Sequence, residues 1–134
     1  ATREQDAGPA SFPIDGALVT ATLAHAHRSQ CVWDPCCGSG TFLRACALSS
    51  RLSSMLQRQP TPMPLLIGSD ANQTALPLST ATDGTRDTPT EWIVMDATSQ
   101  STHSSFRGKF ADSILCDPPY DVRTRCRGHR DGEA

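Results

Sequence analysis

The chain has 134 residues, enough for one domain or a piece of one, with 37% apolar residues, 5% aromatics and a formal charge of −2. That charge supplies no global basic field for nucleic acid or a membrane surface, and no apolar run approaches the roughly 20 residues of a membrane span. Six cysteines (Cys31, Cys36, Cys37, Cys46, Cys116 and Cys126) contain no Cys-x-x-Cys pair. Reduced thiols are expected, and Cys126 with His129 lacks the second pair that a metal site would need.

Residues 1–10 read as a loop or the cut end of a longer protein. They show no charged-then-apolar leader, so a cytoplasmic location is expected. A helix is expected from Pro13 or Ile14 to about His27, with Ile14, Leu18, Ala21 or Thr22 and His25 on one face. Cys31 to Asp34 reads as a strand, followed by a turn through Pro35, Cys36, Cys37, Gly38, Ser39 and Gly40. A second helix runs from Thr41 to about Arg58, with Leu43, Ala47 or Leu48, Leu52 and Met55 or Leu56 inward, and is stopped by Pro60, Pro62 and Pro64.

Leu65 to Asp70 is the second strand, and Asn72 to Leu78 a short helix candidate. Thr80 to Thr90 is a polar connector with little to bury. Glu91 to Asp96 is the third strand and Thr98 to Ser105 another polar loop. Phe110 to Asp117 is the fourth strand, followed at once by Pro118-Pro119-Tyr120. Beyond Val122 the arginines at 123, 125, 127 and 130 follow no period, and residues 123–134 are expected to form a loop or disordered tail. Strands alternating with crossovers imply an α/β fold with a mostly parallel sheet of about four strands and flanking helices, in which ligands bind beyond the carboxyl ends of the strands. In this reading all four strands end in aspartate: Asp34, Asp70, Asp96 and Asp117.

Gly38 and Gly40 let bare backbone approach a nucleotide-like ligand, but Asp34 ahead of them disfavours a diphosphate. No Gly-Lys-Ser/Thr follows, which excludes a P-loop. S-adenosyl-L-methionine (SAM) fits better, because it carries a sulfonium and an ammonium and no phosphate. Asp34 would then serve its amino end, Asp70 its ribose hydroxyls, and Asp96 with Ala97 its adenine. Asp117 and the Pro118 carbonyl can accept from the two N–H groups of an exocyclic nucleobase amine and aim its lone pair. Pro118 and Pro119 stiffen the turn, and Tyr120 offers a face for the flipped base.

Asp34-Pro35-Cys36-Cys37-Gly38-Ser39-Gly40-Thr41 and Asp117-Pro118-Pro119-Tyr120 together resemble the class I SAM-dependent methyltransferases that modify amino groups. More narrowly they resemble RNA methylases usually found with a THUMP domain, including the tRNA guanine-N2 methyltransferases. The resemblance covers roughly residues 11–123, with 11–122 expected as a partial Rossmann-like methyltransferase domain and Ser11-Phe12-Pro13 as the element ahead of the SAM loop. It implies SAM binding by Asp34, Pro35, Cys36, Gly38, Ser39, Gly40, Thr41, Asp70, Ala71, Asp96 and Ala97, with catalysis by Asp117, Pro118, Pro119 and Tyr120. It also implies an RNA substrate, tRNA in the first instance, and a small zinc-binding activator as a partner of some relatives. Asp121 stands where those enzymes have glycine. The family fold has seven strands against four here, so a fragment with an open edge at the fourth strand is expected. N6-adenine methylation of DNA or RNA and a non-catalytic SAM-binding remnant are the alternatives.

Overall fold

The computed structural model describes residues 12–58, 60–77, 88–99 and 108–119. Two helices, α1 (Ile14–Leu23) and α2 (Thr41–Gln57), accompany four strands: β1 (Cys31–Asp34), β2 (Leu65–Asp70), β3 (Thr90–Val94) and β4 (Ser113–Ile114). Short 3-10 turns lie at Ala26–Arg28 and Gln73–Ala75. The expectations for residues 1–11, Leu78 to Asp87, Gln100 to Ser105, Tyr120, Asp121 and the tail 123–134 lie outside the described residues. Among those described, no helix is long and apolar enough to cross a membrane.

α1 starts behind the extended Pro13, with Asp15 in its first turn against the positive end of the helix dipole. It stops at Leu23, short of the expected His27, because His25 takes a left-handed φ of 53° and begins the next turn. Its buried residues are Ala17 and Ala21, one helical turn apart, while Ile14, Val19 and Leu23 are exposed. Small side chains on that face let α1 lie close to α2. The expected apolar face therefore holds only in part.

In α2 the first half is buried through Phe42, Leu43, Ala45, Cys46 and Ala47, but Leu48, Leu52, Met55 and Leu56 are exposed. The inward stripe drawn from periodicity is correct for Leu43 and Ala47 and wrong beyond them. Asn72 starts no helix of any length; its side chain accepts from the Thr74 N–H and closes the turn Gln73–Ala75.

The four strands form one parallel sheet in the order β3-β2-β1-β4. Val32 pairs with Leu66, and both lie in the core with Leu43 of α2 and Leu115. Trp33, next to Val32 and so on the opposite face, packs on Phe110 with ring centroids 5.0 Å apart. Its Nε1 donates to Ser69 Oγ at 3.0 Å. β4 is shorter than the expected Phe110–Asp117, although Asp112 and Leu115 extend its contact by donating to the Cys31 and Trp33 carbonyls. β3 also stops early, so Asp34 and Asp70 end their strands while Asp96 and Asp117 lie just beyond theirs.

Trp92 of β3 lies across two glycines. A Cβ on Gly68 would stand 2.5 Å from its ring and 2.9 Å from Leu43 Cδ1, and one on Gly40 would stand 2.5 Å from the same ring. Gly40 also holds a φ of +80°, which L side chains rarely adopt. Gly68→Ala should lower stability by about 1–3 kcal/mol through overpacking. In a double-mutant cycle with Trp92→Leu most of that loss should be recovered, read as urea midpoints.

Candidate active site

The loop between β1 and α2 is held from three sides. Cys37 donates its N–H to the Ser69 carbonyl at 2.9 Å, and Gly40 closes a turn by donating to the Cys37 carbonyl at 2.8 Å. Gly38, at a φ of +49°, donates its N–H to Asp70 Oδ2 at 3.0 Å. Asp70 Oδ1 accepts from the Asn72 N–H at 2.8 Å. The carboxylate at the end of β2 thus braces the glycine loop and the following turn together.

Asp34 is 1% exposed. Its Oδ1 accepts from the Cys36 N–H at 3.1 Å, and its Oδ2 is buried with no hydrogen-bond partner among the described residues. Burial is the main reason its carboxyl is pushed up from 3.8 to about 7; the Cys36 N–H opposes this, and the charges of Asp70 and Asp117 add to it. Such a group favours the protonated form until a positive charge comes near.

Cys37 is raised above the usual thiol range by burial first and then by Asp34 and Asp70. Cys116, within the expected fourth strand, lies beyond β4 as an exposed residue. Its thiol is pushed up to about 12 by partial burial, by its contact with Cys36, and by Asp34 and Asp117. Thiols held so far above neutrality are poor nucleophiles. The site is not built for cysteine chemistry.

A cleft of about 210 Å³ opens here, lined by the loop from Cys36 to Ser39, by Thr41 and by Asp117. Phe12, Phe42, Thr74 and Ala75 complete it. Phe12 stacks on Phe42 with centroids 4.9 Å apart, so the segment ahead of α1 forms a wall. Sequence reasoning assigns no role to Phe42, Thr74 or Ala75. The scarcity of aromatics in the chain is the available signal for Phe42, and Asn72-x-Thr74 is the signal for a turn beside Asp70.

Not every expected residue joins this cleft. Asp34 lies buried behind the loop and Asp70 braces it, and neither lines the cleft; Pro35 and Gly40 shape the loop without lining it, and Ala71 lies past Asp70 on the exposed rim. Asp96 is exposed beyond β3, where it accepts from the Thr98 hydroxyl and N–H, and these bonds hold its carboxyl below the usual range. Ala97 stands in the same turn. Pro118 and Pro119 are exposed directly after Asp117, and Tyr120 lies outside the described residues.

The chain runs from β1 outward through β2 and β3, then returns to the other side of β1 with β4. Ligands of open parallel sheets bind at such a reversal, beyond the carboxyl ends of the strands. A glycine loop and clustered carboxylates at that point define a Rossmann-like α/β domain with a small-molecule site. Over residues 3–131 the chain matches the RMKL-like methyltransferase domain, and it belongs to that family. No curated protein and no solved structure matched it. It is therefore a class I methyltransferase domain, a class whose methyl donor is SAM.

The raised Asp34 carboxyl fixes the sign of a pH effect. Its folded value lies above its unfolded one, so the native state binds the extra proton and loses stability as pH rises from about 4 to about 7. Asp34→Asn should flatten that decline. At pH 8 the variant should be more stable by up to about 4 kcal/mol, at roughly 1.4 kcal/mol per unit, in urea titrations across the range.

Proposed function

We propose that this domain binds SAM along the β1–α2 loop and methylates an exocyclic nucleobase amine in RNA, guanine N2 of tRNA. The observation that carries the reading is the meeting of the Cys36–Thr41 loop and Asp117 in one cleft where the strand order reverses. Those elements are far apart in sequence, and the fold brings them to one place.

The residues suit a cationic donor without phosphate. No lysine or arginine among the described residues lines the cleft, and Asp34 keeps an unpartnered buried oxygen. A Cβ built on Gly38 meets nothing within 4 Å. Bare backbone thus faces open space beside negative charge. In this reading Asp34 offsets the ammonium and sulfonium, Ser39 and Thr41 offer hydroxyls, and the backbone of Gly38 passes the amino-acid portion. Asp70 and Ala71 meet the ribose, and Asp96 with Ala97 the adenine. Pro35, Cys36 and Gly40 set the loop that makes this possible.

When bound, SAM supplies an electrophilic methyl group. Asp117 and the Pro118 carbonyl accept the two N–H groups of the target amine and hold its lone pair in line. Methylation of an amine releases one proton overall, and Asp117 is the cleft carboxylate placed to take it. Pro119 stiffens the turn and Tyr120 stacks on the base.

Calorimetric titration with SAM should show binding that Asp70→Ala removes, because that change frees the Gly38 and Asn72 amides as well. Asp117→Ala should keep SAM affinity within about twofold while transfer from labelled SAM to unmodified tRNA falls by on the order of 10²-fold or more. Label entering only DNA, or transfer that survives Asp117→Ala, would refute the proposal.

A further inference from the structure

At the opposite end of the sheet, a pocket of about 510 Å³ lies under the starts of β1 and β2, within the usual range for small-molecule sites of about 300–1,000 Å³. Three segments converge on it: the turn holding His27 and Arg28, the last turns of α2 with Ser53 and Gln57, and the stretch before β2 with Thr61. No carboxylate among the described residues lines it. The adjoining Asp112 is engaged, since its Oδ2 accepts from the Gln30 and Cys31 amides at 2.9 and 2.8 Å.

One group in the pocket lacks a partner among the described residues. Thr61 Oγ1 is buried without a hydrogen bond, although the Thr61 N–H is used on Ser54 Oγ at 3.1 Å. Arg28 is the arginine at the pocket's edge, and its side chain is exposed. A buried unsatisfied hydroxyl costs stability in the free protein, and a rotation of the Thr61 side chain toward a ligand in the pocket would remove the cost. Gln57 Nε2 already donates to Ser53 Oγ at 2.9 Å, which fixes both side chains at the wall.

We infer that this pocket is a second ligand site, one that takes a phosphate group between Arg28, His27 and the Thr61 hydroxyl. Phosphate suits it because several oxygens can accept donors arriving from separate directions, and because a guanidinium grips such a group with paired N–H bonds. The space exceeds a lone phosphate and leaves room for what it is attached to. The layout of charge agrees. Asp34, Asp70 and Asp117 concentrate acid near the methyl-transfer rim, whereas this end presents Arg28 and no lining carboxylate among the described residues. Strands rise about 3.3 Å per residue, so the two sites are separated by roughly 13–20 Å, a span that several nucleotides cover. An RNA backbone as the phosphate's source rests on the function proposed above; the phosphate chemistry itself does not.

The test titrates the isotopically labelled full chain with inorganic phosphate in one arm and a short single-stranded RNA in the other, following backbone amide signals. Both should move Ser29, Ser53 and Thr61, and RNA acting at a far lower concentration than phosphate assigns the backbone as the source. Comparable potency assigns a free phosphate compound. Arg28→Gln, at an exposed residue, should weaken the binding at least about fivefold and reduce the slope of log affinity against log salt by about one. Thr61→Val should weaken it without changing the slope. If neither probe moves these signals, or if Arg28→Gln leaves affinity unchanged, the inference is overturned. A separate SAM titration that moves Gly38 and Ser39 in the same sample distinguishes a failure here from a failure of the proposed function.

Discussion

A carboxylate sealed from water at the end of β1 sets the terms for everything around it. Asp34 has one oxygen on the Cys36 N–H and the other on nothing among the described residues. Removing an ionised carboxylate from water costs several kcal/mol unless a charge or donors replace the lost hydration. The fold supplies one donor and then adds two more acids, Asp70 and Asp117, within electrostatic reach. That arrangement weakens the empty protein and makes sense when a cation completes it. The two oxygens of Asp70, by contrast, are occupied by the Gly38 and Asn72 amides.

The scaffold makes this concentration of charge possible through close packing behind it. Trp92 fills the space left by Gly40 and Gly68, and α1 rests its alanines on α2. The loop is thereby backed by β2, β3 and a helix before any ligand arrives. The reversal of strand order at β1 then brings Asp117 from the far end of the sequence to the mouth of the same loop. Preorganised acceptors beside the point of reaction are worth more than flexible ones, because they need not reorganise as the reaction proceeds.

Much of this can be read in the residues. β1, α2 and β2 have nearly the expected bounds because each carries its own signal: Val32 and Trp33 between polar neighbours, prolines after α2, and the apolar run from Leu65 to Ile67. The glycine loop and Asp117 stand out as motifs. What cannot be read depends on three-dimensional cover. Periodicity makes Leu52 and Met55 inward-facing, but the core ends before them. β4 reads as a long apolar run, yet only Ser113 and Ile114 pair fully with β1, since an edge position demands little more. His25 gives no hint of the left-handed turn that ends α1. The bracing of Gly38 by Asp70 is also hidden, because sequence shows that an acid ends a strand and not which amide it meets.

If Asp34 carries a proton in the empty site and gives it up to face a cation, SAM binding must release that proton. Calorimetry of SAM binding near pH 6, in buffers of different ionisation enthalpy, measures the protons exchanged. The wild-type protein should release close to one proton more than Asp34→Asn does, with weaker binding in the variant. Equal proton exchange in the two proteins, with unchanged affinity, would mean that Asp34 does not answer the ligand's charge.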